Sequence, residues 1–482
     1  MYTGIPSSNE MAALMGQLRK GTAGYQTAPN VTFQTSEVAN NFSPLIPQQL
    51  QQTLSIATSS MADLKLWPML AKTPAVNTVV EYNRVNRHGA ELSPFIEEGG
   101  TASLNRSTYE KVAVQMKYLA EKREVSDVAS FVNLVGPSPD AIAEETRRGT
   151  EILLRRVEKE LFHGDSSINP LAWDGIIKQI RDGGNIADLR GAAPSAVYLS
   201  EVLGALYSAP FYGMISHILV TPRVLSELIK QTVHHGRHDQ IQVSGNSLTF
   251  GSSNLSITGP YGPVPVVACP FLERHDRIAP AAASSSVFEG SVVTPTISAQ
   301  PTSPADAASK FVAADAGNYY YRVVPVGDAG IGVPVDTNVV AVAAGDKVTF
   351  TIAQADATST VKFYRIYRSK KDAANADGAL LVAEITNAGA NTVFNDLNAK
   401  IAGSSEIVFV NSAPDYMEYF QMLSLIRRPL AQIKTTHPFL LMMFGAPAVK
   451  LPSKMFVVEN AGSNTSAGLT SINDAALIGL QL

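Results

Sequence analysis

Apolar residues along this chain change their spacing several times, and each change marks an element. From Val76 they alternate with polar ones, and Thr78-Val79-Val80-Glu81-Tyr82-Asn83-Arg84-Val85-Asn86 has the two-residue period of a strand. The alternation returns over Ser107 to Tyr118, after a polar stretch in which Glu97-Glu98-Gly99-Gly100 supplies turn chemistry. These segments predict one long hairpin with a long polar tip. A two-stranded hairpin is marginal alone in water, so it needs a partner surface. That surface is a neighbouring subunit or, on the plainer reading, the hairpin's own domain.

The period then lengthens. Ile142, Thr146, Gly149, Leu153, Val157 and Leu161 recur at three- and four-residue steps. Glu144, Arg147, Arg148, Glu151, Arg155, Glu158 and Lys159 occupy the other face. Ser138 supplies a cap and Pro139 a first-turn proline, and Gly164 is expected to stop the helix in the left-handed conformation. Residues 186–280 read as mixed α/β. Helices are predicted at Pro194–Ser208 and Arg223–Gln231, with a buried strand at Ile215–Val220 and strand and turn over Ser256–Val267.

Ala279 to Ala308 is Ala, Ser, Thr and Pro with little charge, the composition of a linker. Short aromatic-rich strands follow at regular spacing: Asn318–Val326, Lys347–Ile352, Val361–Arg368, Leu380–Ile385 and Thr392–Phe394. They predict a β-sandwich that resembles fibronectin type III or immunoglobulin-like modules over Ser309 to Gly403. After Ile407 the α/β pattern resumes, with strands at Phe439–Phe444 and Lys454–Val458, so the sandwich reads as an insertion in an exposed loop. Residues 1–75 are rich in Gln, Asn, Ser and Thr. They hold a short amphipathic stretch (Met11, Leu14, Met15, Leu18) and apolar residues broken by Pro44, Pro47 and Pro68, and they read as an arm lying on something larger.

Composition narrows the class. At 482 residues, 45% hydrophobic and 17% charged, the chain is a folded protein of roughly two to four domains. Its charge fraction falls below the usual quarter, as expected where surface is covered by neighbours. A net charge of −4 argues against general nucleic-acid binding, which needs a basic field, but not against enclosing nucleic acid. Cys269 is the single cysteine and reads as a buried apolar thiol, so no intrachain disulfide forms and a reducing compartment is expected. Met1 to Gly24 has no secretory signal pattern. The longest apolar run, Pro438 to Val449, is short of the ~20 residues of a membrane helix.

No motif carries chemistry. Walker A, HExxH and CxxC patterns are missing, and Gly327, Gly330 and Gly332 lie in a β-turn context. His234-His235-Gly236-Arg237-His238-Asp239 holds metal-ligand types, but adjacent residues seldom converge on one ion, and a solvated loop is the better reading. His163-Gly164-Asp165-Ser166 has the residue types of a serine triad without a nucleophile elbow, and reads as a helix cap and turn. No enzyme, cofactor or metal is expected.

The long helix ends at Phe162-His163-Gly164-Asp165-Ser166-Ser167-Ile168-Asn169-Pro170, followed by Trp173-Asp174-Gly175-Ile176-Ile177. This succession resembles the major capsid proteins of tailed phages, over about residues 40–280 and 405–460. The resemblance implies an α+β chain with the Hong Kong-type capsid fold and an inserted all-β sandwich. Its parts would be an N-terminal arm (1–75), an extended β-hairpin loop (76–125), a peripheral domain with the long spine helix (126–185) and an axial α/β domain (186–280). The linker and sandwich would span 281–404, and the return through the axial domain to peripheral strands and tail 405–482. It implies a head protein that self-assembles as hexamers and pentamers of an icosahedral virion around double-stranded DNA, built in the host cytoplasm without a membrane. Scaffolding, portal and decoration proteins would be its partners, and the sandwich would face outward. Trp67, Tyr82, Arg84, Arg87, Glu97 and Glu98 are the assembly-contact candidates on the arm and hairpin. Some such capsids join a lysine to a neighbour's asparagine, but nothing near Lys111, Lys117 or Lys122 identifies the acceptor, so no cross-link is inferred. The rival class is a cell-surface or secreted protein that uses the sandwich for adhesion. The missing signal and the α/β body count against it.

Overall fold

Two long strands, Met417–Pro429 (β21) and Thr436–Val449 (β22), run antiparallel through the middle of the body. Ala71–Pro74 (β1) joins them on one side, parallel to β21, and Lys117–Ser126 (β4) on the other, antiparallel to β22. The computed structural model describes residues 61–90, 95–101, 103–131, 140–234, 242–244, 247–249, 255–274, 276–281, 292–328, 330–354, 361–432 and 434–462. The expected helix at 9–18, the cap at Ser138 and Pro139, and the cluster after His234 lie outside them.

Before β1 comes a single helical turn, Leu66–Met69 (α1), and after β4 a short helix, Asp127–Phe131 (α2). The spine helix, Ala141–His163 (α3), packs across one face of the sheet. Leu153 meets Val125, Phe439 and Leu441, while Val157, Leu161 and Phe162 meet Tyr419 and Met443. Gly149 allows the close approach, because a Cβ there would lie 2.6 Å from the Leu441 side chain.

A second, six-stranded sheet has the order β5-β23-β20-β6-β10-β9. Its strands are Ile186–Asp188 (β5), His217–Val220 (β6), Ser256–Gly259 (β9), Gly262–Ala268 (β10), Ser405–Val410 (β20) and Phe456–Ala461 (β23). A small hairpin, Gln242–Ser244 and Ser247–Thr249 (β7, β8), precedes β9. Every residue of β20 is buried, as befits a central strand covered on both faces. Leu219, Val408, Val410 and Val457 face the spine-helix core, which helix Ile176–Asp182 (α4) completes. Ile218, Val220, Ile407 and Phe409 face helices Ala196–Tyr207 (α5) and Pro222–His234 (α6).

Between β10 and β20 the chain builds the sandwich. Thr296–Thr302 (β11), Val348–Ala353 (β16) and Asn391–Asp396 (β19) form one sheet in the order β11-β16-β19. The other has Val335–Asp336 (β14), Tyr321–Gly327 (β13), Val361–Arg368 (β17) and Leu380–Thr386 (β18), in the order β14-β13-β17-β18. Gly317–Tyr319 (β12) and Val340–Val342 (β15) pair beside them. Tyr321, Tyr364 and Ile366 of one sheet meet Phe350 and Phe394 of the other in a closed core.

Three expectations need correction. The linker reading of 279–308 fails for its second half: β11 lies inside it, an uncharged strand whose Ile297 packs on the sandwich core. Ser107–Tyr118 is not one returning strand. Thr108–Gln115 (β3) pairs with Val79–Arg87 (β2), Met116 is buried, and β4 then joins a different sheet. Gly164 is not left-handed. A glycine is needed there because a Cβ would lie 2.6 Å from both the Glu160 and the Trp173 carbonyl oxygens.

The last turns of the spine helix tie these parts together. The Glu158 carboxylate is fully buried and accepts from the backbone N–H groups of Lys65 (2.9 Å), Leu66 (2.6 Å) and Trp67 (2.7 Å). Burial pushes its pKa up, against those three N–H groups, which favour the charged form. Lys159 reaches Asp276 at 3.4 Å, and Asp276 and Glu384 are shared by Arg274 and Arg365 at the root of the sandwich. The Trp173 indole N–H donates to the Glu160 carbonyl (2.9 Å). Replacing Glu158 with Ala strands three N–H groups, at least one of them buried, and is expected to lower unfolding stability by about 3 kcal/mol. Urea titration followed by tryptophan fluorescence checks it, with Glu158→Gln losing less.

Candidate assembly site

The hairpin of β2 and β3 springs from the edge of the body and is held there by few groups. The Tyr82 hydroxyl donates to the Val449 carbonyl at 3.3 Å, and Val80, Tyr82 and Val114 pack on Met116 and Phe420. Farther out, the ribbon is held by its own ladder and cross-strand charges. Arg84 pairs with Glu110 at 2.8 Å, Asn86 donates to the same carboxylate at 2.7 Å, and Lys111 pairs with Glu81. Gly100 N–H closes a turn on the Glu97 carbonyl at 2.8 Å. Near this tip Phe95 is 87% exposed and Leu104 77%, with Ile96 exposed beside them. The tip therefore carries apolar side chains among its polar ones.

The face of the four-stranded sheet away from the spine helix is also apolar. Strand alternation sends Phe439, Leu441 and Met443 inward and leaves Leu440, Met442 and Phe444 on the outer face. Register sets Ile426 beside Met442, and Phe444 beside Tyr118, whose rings meet edge-on at 4.8 Å. Met422 and Ile426 are exposed, and Tyr118 is 60% exposed. Exposed apolar patches of this kind mark interaction surfaces.

The six contact candidates do not form one site. Trp67 is bound inside its own subunit, edge-on to Tyr419 at 5.0 Å and under the Lys72 ammonium at 4.5 Å, with its N–H on Glu158. Tyr82 is half-buried at the hairpin root, and Arg84 is engaged by Glu110. Arg87, Glu97 and Glu98 are exposed. Charge singles out the last three in the sequence, whereas their apolar neighbours Phe95, Ile96 and Leu104 carry no periodic signal by which to find them. Lys117 donates to the Pro170 carbonyl at 2.7 Å, and Lys122 is exposed.

His163, Asp165 and Ser166 do not assemble a triad. Nε2 of His163 lies 2.9 Å from the Leu272 carbonyl, and Asp165 is bound by Lys178 and Ser167. No metal-binding cluster occurs among the described residues. Cys269 is buried, and burial pushes its thiol up to about 12, so it is inert. Burial holds His163 down at about 4 despite Glu406, whose side chain lies 4.0 Å away. Burial would raise Glu406, but Lys400, His163 and Arg181 together bring it to about 2. A buried histidine kept neutral contributes stability in full above its unfolded pKa and loses it as pH falls through the folded value. Between pH 7 and pH 4 the parent protein is expected to lose about 3 kcal/mol more than His163→Gln, measured by denaturant titration at each pH.

No family model matches the chain. The major capsid protein of Staphylococcus phage S25-3 is 23% identical over 438 residues, covering 85% of this chain and 89% of that one. That of Staphylococcus phage K has the same identity and coverage. Among solved structures, the capsid of a native GTA particle aligns with a TM-score of 0.47 and 11% identity, over 89% of this chain and all of the other. The holo-SrpI encapsulin complex of Synechococcus elongatus PCC 7942 aligns with a TM-score of 0.42 and 12% identity, over 90% and 99%. Along most of both chains the sequence is thus similar to major capsid proteins of phages, and the structure has the hairpin, the spine helix on a long-stranded sheet and the α/β layer that this resemblance implies.

Proposed function

We propose that the chain is the repeating subunit of an icosahedral phage head, assembling as hexamers and pentamers around double-stranded DNA. The observation that carries this reading is the similarity to phage major capsid proteins over 85% of the chain. The role is structural, not catalytic. The sheet with its spine helix is the peripheral domain, the six-stranded layer the axial domain, and residues 281–404 an outward-facing immunoglobulin- or fibronectin-like module. Scaffolding, portal and decoration proteins complete the head, which is built in the host cytoplasm. The net charge of −4 suits a wall that encloses DNA without binding its sequence.

Assembly runs through the hairpin and the arm. A tip carrying Phe95, Ile96 and Leu104, on a ribbon with little support from its own body, matches the apolar outer face of Tyr118, Met442 and Phe444 on a neighbour. Arg87, Glu97 and Glu98 surround that contact and set its register. Each such contact is small, and multivalency makes a ring of them strong.

Deleting 91–106 is expected to leave soluble subunits that form no shells, while the double substitution Ile96→Asp and Leu104→Asp weakens assembly without unfolding the body. Electron microscopy and sedimentation of the protein co-expressed with its neighbouring genes read both. Intact shells from the deletion would remove the hairpin from the mechanism.

A further inference from the structure

The two larger sheets of the sandwich have four edge strands between them, and three of these are closed to pairing. β14 is two residues long. β18 is covered by the preceding chain, with Leu381 N–H on the Arg277 carbonyl (2.7 Å), Ala279 N–H on the Ala379 carbonyl (2.8 Å) and a bridge from Ile278 to Leu380. β11 carries Pro301 and two register shifts against β16, the devices by which edges are kept from pairing. β19 has none of them along its six residues, and only past its end does the Lys310 N–H donate to the Leu397 carbonyl (2.8 Å). It is six residues long and pairs with β16 residue for residue without a bulge. It contains no lysine and no proline, and no other described strand pairs with it.

Its side chains are arranged symmetrically. Thr392, Phe394 and Asp396 point inward and are buried, and Asp396 is held by Arg368 (2.6 Å) and Tyr321 (2.9 Å). Asn391, Val393 and Asn395 point outward, and Val393 is 59% exposed. The outward row is thus one valine between two asparagines, with no formal charge. On the same outer face, β16 sets Thr349 beside Asn395 and Thr351 beside Val393, also uncharged. Two such edges brought together antiparallel about Val393 would set valine against valine and each asparagine against the other. No like charges would meet, as a twofold contact between identical strands requires.

We propose that β19 is a self-pairing edge, joining the sandwich to that of a second copy of this chain in one continuous six-stranded sheet. The occupant is a second copy because the strand is its own complement in sequence and charge. A strand pair of this size is too small to hold two free subunits, so the contact forms where neighbouring copies are already held close. The inference rests on the assembly reading above.

Cysteine cross-linking in assembled particles tests it. In the proposed register residue 393 faces residue 393, at about 4.5–5.5 Å between Cα atoms, within disulfide range. Residue 395 faces 391, which leaves the two copies of 395 about 13 Å apart, beyond that range. Particles of Val393→Cys are expected to give disulfide-linked dimers on mild oxidation, and those of Asn395→Cys to stay monomeric on non-reducing gels. Cys269 is 1% exposed and does not compete. Intact particles of Val393→Cys without dimers, or dimers of Asn395→Cys in equal yield, would overturn the inference alone. A parent protein that forms no particles would overturn the assembly reading and this inference with it.

Discussion

A buried carboxylate at the end of the spine helix is the constraint on which the rest of the molecule depends. Glu158 replaces water for the N–H groups of three consecutive residues, Lys65, Leu66 and Trp67, and so fixes where this segment meets the body. From that point the chain has one course. It turns through α1, adds β1 to the edge of β21, and leaves as β2 of the hairpin. The residues that follow Glu158 on the helix serve other parts. Lys159 meets the charged root of the sandwich, Glu160 receives Trp173, and His163 reaches Leu272 ahead of it. The segment before β1, the sandwich and the turn after the helix are therefore referenced to about one and a half helical turns. Charges this deeply buried stabilise little on balance, but breaking a pair is costly, which favours a single arrangement of the modules.

Such rigidity bears on assembly. A subunit that enters a closed shell must present several contacts at fixed angles, and each loose joint would spread those angles. The hairpin is the exception. Its root is tied by Tyr82 and the contacts around Met116, while its outer half is held by bonds within the hairpin itself, its ladder and pairs such as Arg84–Glu110, Asn86–Glu110 and Asn105 with Ala90. In the assembly proposed above, such an element would adjust to curvature between five- and six-fold positions.

Periodicity makes much of the fold legible. The two-residue alternation marks the hairpin, the three- and four-residue steps mark the spine helix, and the aromatic strands from Asn318 to Phe394 mark the sandwich. What it misses has physical causes. β11 is hidden by composition, since Ser, Thr and Pro read as linker although Thr and Ile suit a strand. The division at Met116 between β3 and β4 is a change of partner without a change of period, so no local pattern could mark it. Gly164 does stop the helix, but the reason is crowding by two carbonyl oxygens, which depends on tertiary contact. For the site, charge and aromaticity pick out Trp67 and Tyr82, and both are internal anchors. The apolar outer face of the sheet depends on which side the spine helix covers, and strand alternation alone does not say that. The charges of its neighbours put Glu158 on the polar face of its helix, yet it is the most deeply buried carboxylate among the described residues.

Cryo-electron microscopy of the assembled particle shows whether the hairpin tip docks on a neighbour. A closed shell is expected in which each subunit keeps Lys65, Leu66 and Trp67 on Glu158 and lays its hairpin tip over the Tyr118, Met442 and Phe444 face of a neighbour. A shell in which that face stands open to solvent, with the hairpin folded back on its own subunit, would contradict it.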